Sequence, residues 1–175
     1  MHSFWKLGLL SCGALMLAAA LPAFAAAPDM YVKILSIVKE PSLHPTVWRV
    51  DVAVGNAGNV APNAAVYAFL RASTQSGQIC ETGLPNIQGR LIPGTTFKAF
   101  RFQVDYHAPT PIKKLPAPTP IKKLPVVQYT IEAEVKYLNY PCQQGTNDNN
   151  CANNLQRVTL PFPTGGTPSC VKLVQ

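Results

Sequence analysis

Alternation of apolar and polar positions is clearest between Thr46 and Leu70, TVWRVDVAVGNAGNVAPNAAVYAFL. Trp48, Val50, Val52 and Val54 share one parity, and Val47, Arg49, Asp51 and Ala53 the other. A two-residue period is what a strand needs to bury one face and wet the other. Gly55, Asn56, Gly58 and Asn59 interrupt it with residues that tolerate left-handed backbone, and a second extended run follows from Ala64. This stretch predicts a hairpin with strands at about 46–54 and 64–72.

The same reading places other strands along the chain. MYVKILSIV, residues 30–38, is apolar on both parities, as for a strand packed under neighbours, and Pro41 and Pro45 end it. In residues 95–106, Phe100, Phe102, Val104 and Tyr106 share a face, with Lys98 on the same parity near the strand start. Residues 128–137 alternate most cleanly, with Tyr129, Ile131, Ala133, Val135 and Tyr137 opposed to Thr130, Glu132, Glu134 and Lys136. Val158, Leu160 and Phe162 mark a last strand at 155–162. Residues 73–94 are rich in Gly and Pro and read as loop, with room for a short strand around Ile79 or Ile87. No window keeps a helical period. The expected fold is all-β, a single antiparallel immunoglobulin-like β-sandwich of about seven strands spanning 26–163, followed by a tail at 164–175.

Residues 1–25 stand apart. Lys6, a small apolar run from Leu7 to Leu21 and the small-x-small Ala23-Phe24-Ala25 have the order of a secretory signal, with cleavage expected near Ala25 and a secreted or periplasmic product. A lipid anchor at Cys12 is disfavoured because the apolar run continues past it. Four cysteines remain: Cys80, Cys142, Cys151 and Cys170. An even count in an exported chain favours disulfides, and no CxxC or Cys/His spacing suggests a metal. Three pairings are open. Cys142 and Cys151 flank a short Asn- and Gly-rich loop and are the expected pair, which leaves Cys80 with Cys170 by elimination.

Charge changes the picture only locally. Removing Lys6 lowers the formal net charge from +7 to +6, and Lys113, Lys114, Lys122 and Lys123 account for four of those. These lysines lie in a perfect tandem repeat, APTPIKKLP twice over residues 108–125, whose prolines exclude it from a sheet. It reads as an exposed loop between neighbouring strands. Its lysines are candidate contacts for a polyanion, but sequence-specific nucleic-acid binding is not expected.

Four landmarks resemble the CARDB family, the cell-adhesion-related immunoglobulin-like domain found in bacteria. They are Pro28-Asp29-Met30-Tyr31-Val32, Asn56-Ala57-Gly58, Leu91-Ile92-Pro93-Gly94 and Asn150-Cys151-Ala152-Asn153-Asn154. The likeness covers about residues 28–162. The proline–lysine insertion and the cysteines depart from it. The resemblance implies extracellular recognition or adhesion and supplies no catalytic residues.

Read by their chemistry, the asparagines of these motifs suit loops that re-enter strands. Asn56, Asn59, Asn149 and Asn150 are also candidate binding residues in two loops, 55–63 and 141–154. A calcium site at 147–150 would have Asp148 as its only acid. His44 and His107 lie beside Pro-rich turns, and no hydrolase, zincin or nucleotide motif occurs. Glu132 and Glu134, about 7 Å apart on one strand face, imitate a catalytic pair but equally suit a solvated face. The expected function is a non-enzymatic binding or adhesion module without cofactor, acting through surface loops or sheet edges on a protein or an envelope or extracellular polymer. The alternatives are an accessory domain of a secreted hydrolase and a polyanion-binding protein using the basic repeat.

Overall fold

The computed structural model describes residues 26–40, 46–106 and 125–173. The expected leader at 1–25, His44, His107 and the repeat lysines Lys113, Lys114, Lys122 and Lys123 lie outside the described residues.

Eight strands form two antiparallel sheets. They are β1 Met30–Glu40, β2 Thr46–Asn56, β3 Val66–Thr74, β4 Gly77–Leu84, β5 Thr96–Tyr106, β6 Val126–Tyr137, β7 Leu155–Pro163 and β8 Thr167–Lys172. One sheet runs β1-β2-β5-β8 and the other β4-β3-β6-β7. Matched in chain order, β1-β2-β5 and β3-β6-β7 take the A-B-E and C-F-G places of an immunoglobulin-like sandwich, while β4 lies beside β3 on the second sheet. The C-terminal strand β8 occupies the edge beside β5.

The alternating positions make the core. Val50, Val52 and Val54 of β2 and Phe100, Phe102 and Val104 of β5 meet Val66, Ala68 and Leu70 of β3 and Ile131, Ala133 and Val135 of β6, all buried. Phe162 stands at the aromatic centre, 5.5 Å from the rings of Phe102 and Tyr129 and 5.9 Å from Trp48. Removing this apolar surface from water is the main force holding the sheets together.

Several expectations are corrected. The runs at 46–54 and 64–72 are strands, but they do not form a hairpin: β2 pairs with β1 and β5, while β3 pairs with β4 and β6. The Gly/Asn segment between them crosses from one sheet to the other. Within the expected loop at 73–94 the strand allowed for around Ile79 is present as a full strand, β4, and the expected tail contains β8. β1 lies at an edge, and its second apolar parity leaves Leu35 and Ile37 exposed. Lys98 does not need its long stem to escape the core. The β2–β5 register steps from Val52↔Phe100 to Ala53↔Lys98, so Ala99 is an extra residue in β5 that flips the alternation. Phe97 replaces Lys98 on the core side.

Two seams close the sandwich. Cys80 of β4 bonds Cys170 of β8, joining an edge of each sheet across the core. On the opposite seam the Gln156 side-chain oxygen of β7 accepts from the Ile34 amide of β1 at 2.6 Å. The second disulfide joins Cys142 to Cys151, so both expected pairings are present.

Candidate functional site

The strand directions sort the connections into two ends. At one end lie residues 26–29, the β2–β3 crossing, the β4–β5 loop and the β6–β7 loop. At the other lie the β3–β4 and β7–β8 turns, the end of β5 at Tyr106 and the last residue of the tandem repeat, Pro125, which accepts from the Thr164 amide at 2.9 Å.

Asn56 organises the first end. Its side-chain oxygen accepts from the amides of Asp29 at 3.0 Å and Gly58 at 2.9 Å, and its side-chain nitrogen donates to the carbonyls of Val60 at 2.8 Å and Leu91 at 2.9 Å. It is fully buried, and these four bonds use its two donors and two acceptor positions. Asn56 is therefore a structural knot with no capacity left for a ligand. Gly58 packs so closely that a Cβ there would lie 2.6 Å from the Asp29 nitrogen. The Leu91-to-Gly94 turn joins the same knot through the Gly94 amide, which donates to the Asn56 carbonyl at 2.9 Å.

Asp148 organises the neighbouring loop. Its carboxylate is fully buried and accepts from the Asn150 amide at 2.9 Å and from the Asn154 side chain at 3.0 Å, with a further backbone bond from Met30. Burial pushes its proton affinity up, while these donors oppose the shift. An acid turned inward onto N–H donors has its oxygens committed, which is the reverse of a calcium loop. Among the described residues no group of three or more His, Cys, Asp or Glu is placed to hold a metal ion.

Asn149 donates from its side chain to the Ala27 carbonyl at 2.7 Å and from its amide to the Pro28 carbonyl at 2.6 Å. Asn150 caps the short 3-10 turn at Cys151–Asn154 by accepting from the Ala152 amide at 3.2 Å. Asn153 donates to the Asp29 carboxylate at 2.7 Å. Tyr137 donates to the Asn147 carbonyl at 2.7 Å and stacks on Tyr140 with centroids 4.8 Å apart. Burial first, then the charge of Asp148, pushes the Tyr137 hydroxyl up to about 12.

The structure thus brings together the two loops singled out by the sequence, both held against residues 27–30. Of the four candidate asparagines, Asn59, Asn149 and Asn150 are exposed and Asn56 is not. Sequence reasoning named Asp148 and Asn154 but missed their burial, because they lie in a segment whose composition reads as solvated loop. It also missed that Ile92 and Leu138 are exposed apolar side chains of this end, where Tyr140 is exposed as well.

Glu132 and Glu134 are not a free carboxylate pair. Arg71 bonds Glu132 at 3.3 Å and Glu134 at 3.0 Å, and Arg157 also bonds Glu132. Arg157 foremost, and then Arg71, holds the Glu132 carboxyl below its usual range. That environment opposes the raised proton affinity of a general acid. All four sheet edges are interrupted: β7 by Pro161 and Pro163, β8 by Pro168, β1 by a register shift between Ile34 and Ser36, and β4 by an extra residue at Ile79. Such interruptions disfavour pairing with a foreign strand.

No family model matches the chain, and the curated proteins contain no match to it. The two disulfides fit an extracellular protein, and among the described residues no helix is long and apolar enough to cross a membrane.

Proposed function

We propose that the chain is an exported, non-enzymatic binding module that engages its partner through the loop end carrying 57–65 and 141–154. One observation carries this reading: side-chain bonds from Asn56, Asp148, Asn149 and Asn153 tie both loops to residues 27–30. Loops fixed in this way present a surface without the ordering cost of a flexible one. Ile92, 57% exposed, and Leu138, 53% exposed, supply apolar contact area at this end, and Tyr140 adds an aromatic ring. The interrupted edges favour loops over strand addition.

The CARDB-like landmarks support the same reading, because they fall at this end. Pro28–Val32 enters it, Asn56-Ala57-Gly58 and Leu91–Gly94 form its knot, and Asn150–Asn154 closes it.

The test is retention of envelope or extracellular partners by the mature chain. Replacing Ile92, Leu138 and Tyr140 together by Ser abolishes retention, and replacing Lys113, Lys114, Lys122 and Lys123 by Gln leaves it intact at low and high salt. Loss in the lysine variant, with the loop variant unaffected, would overturn the reading in favour of a charge-driven arm, whose binding weakens steeply with salt.

A further inference from the structure

The outer face of the β4-β3-β6-β7 sheet carries an order that neither the loops nor the core explain. Cross-strand register aligns Glu81, Arg71, Glu132 and Arg157 in one row over all four strands. Their charges alternate, and each neighbouring pair is bonded: Arg71 to Glu81 at 2.8 Å, Arg71 to Glu132 at 3.3 Å, and Arg157 to Glu132. Arg71 also holds Glu134 at 3.0 Å and lies over the Phe69 ring, 5.2 Å from its centroid. The next row on the same face is Gln78, Ser73, Thr130 and Thr159, all neutral hydrogen-bonding side chains. The Thr130 and Thr159 hydroxyls lie 3.0 Å apart.

Long side chains in one row beside short ones in the next make a trough across the strands. It encloses about 390 Å³, with Arg71, Glu132 and Arg157 as its wall and Ser73, Thr130 and Thr159 as its floor. Same-face rows are about 7 Å apart and strands about 4.8 Å, so over the four strands the trough is about twice as long as it is wide.

We infer that this trough binds a neutral, hydroxyl-rich polymer, that is, a glycan segment laid across the strands. Charge excludes a polyanion: the cations Arg71, Lys136 and Arg157 are matched by Glu81, Glu132 and Glu134, every one of them ion-paired. A peptide would seek a sheet edge or an apolar pocket, and the floor offers neither. Hydroxyl floors both donate and accept, as sugar hydroxyls do, and the Arg157 side chain remains 60% exposed to donate from the wall. The ion pairs fix the wall before a ligand arrives, so few side chains lose freedom on binding. This site is separate from the loop end, so its failure leaves the loop reading standing.

Affinity gel electrophoresis of the mature chain tests it, with dextran, laminarin and hydroxyethylcellulose as neutral polymers and heparin as the polyanion. Retardation by at least one neutral polymer is expected, unchanged between low and high salt. Thr130→Val with Thr159→Val keeps the β-branched shape and removes the floor hydroxyls. It should weaken retardation about tenfold, the factor that corresponds to roughly 1.4 kcal/mol of lost hydrogen bonding. Arg157→Ala should weaken it similarly, while the Ile92, Leu138 and Tyr140 to Ser variant should be retarded like the parent. No retardation by any of the three neutral polymers overturns the inference. So does retardation by heparin alone, retardation undiminished in the Thr→Val variant, or loss confined to the loop variant.

Discussion

The two ends of this sandwich are built by different means. At the end holding residues 26–29, irregular chain is fixed by buried side chains: Asn56 reaches four backbone partners in three segments, and Asp148 gathers the β6–β7 loop over Met30. The opposite end is made of strand tips and tight turns. Its β3–β4 reversal uses the Thr74 and Ser76 hydroxyls, 2.7 Å apart, and Gly77 with φ 132°, and Gly165 with φ 85° turns β7 into β8. Each end has a disulfide suited to it. Cys142–Cys151 spans 9 positions within one loop, whereas Cys80–Cys170 spans 90 and joins the sheets where β4 leaves the turn end. Irregular backbone needs partners for every buried polar group, and a short polar side chain reaches several at once. Turns of two or three residues need only permissive backbone.

The largest effect expected from breaking this contrast is on the sheet-to-sheet staple. Replacing Cys80 and Cys170 by Ala frees a closed loop of 90 positions, and the chain-entropy relation gives a loss of about 4.6 kcal/mol. Denaturant unfolding measures it. Asn56→Ala comes next: it strands two amides and two carbonyls, and a loss on the order of 3 kcal/mol is expected, larger than for Asn59→Ala at the exposed neighbouring position. Replacing Cys142 and Cys151 by Ala should cost about 2.6 kcal/mol by the same relation. If it costs as much as the Cys80–Cys170 change, the two ends do not differ as described.

Acid titration sharpens the contrast further. Burial raises the proton affinity of Asp148, so folding takes up a proton in the window above the ordinary carboxylate range, and this group's contribution falls as pH rises through that window. Glu132 is held down by Arg157, so its contribution is present above the ordinary range and is lost as pH falls through its lowered value. Relative to the parent, Asp148→Asn should therefore compare worst at low pH and Glu132→Gln worst near neutrality. The smallest effect is at the turn end, where deleting Ala117 to Pro125 leaves one repeat unit to join β5 and β6. Melting should shift by no more than a few degrees, because closure entropy changes slowly with loop length.

The strands with strong alternation were legible in the sequence because a two-residue period directly reports a half-buried face, as in β2, β5 and β6. Their partners were not. Period says which face is buried and nothing about which strand lies alongside, so β2 and β3 read as a hairpin although they belong to different sheets. β4 showed only as room for a short strand around Ile79, and β8 not at all, because edge strands face solvent on more sides and carry Gly, Thr, Gln and Pro in place of alternating apolar residues. The bulge at Ala99 was hidden because it imitates a polar residue on the core parity. The cysteine pairing was legible from spacing for Cys142–Cys151, with the other pair following from it. Asn56 was visible as a motif but its role was not, since composition cannot tell an asparagine that binds a ligand from one that binds its own backbone. Asp51 shows the same limit: it lies on the polar parity of β2 yet is 2% exposed, roofed by Arg101 at 2.8 Å.

Native-state amide hydrogen exchange tests most directly whether the loop end is one rigid surface. The amides of Ala57, Gly58, Asn149 and Asn150, each bonded to this end's own groups, should exchange only by openings nearly as costly as global unfolding. The Ser76 amide, in the exposed β3–β4 turn, should exchange with little protection. Rapid exchange of the four loop amides, at rates like that of Ser76, would contradict the account.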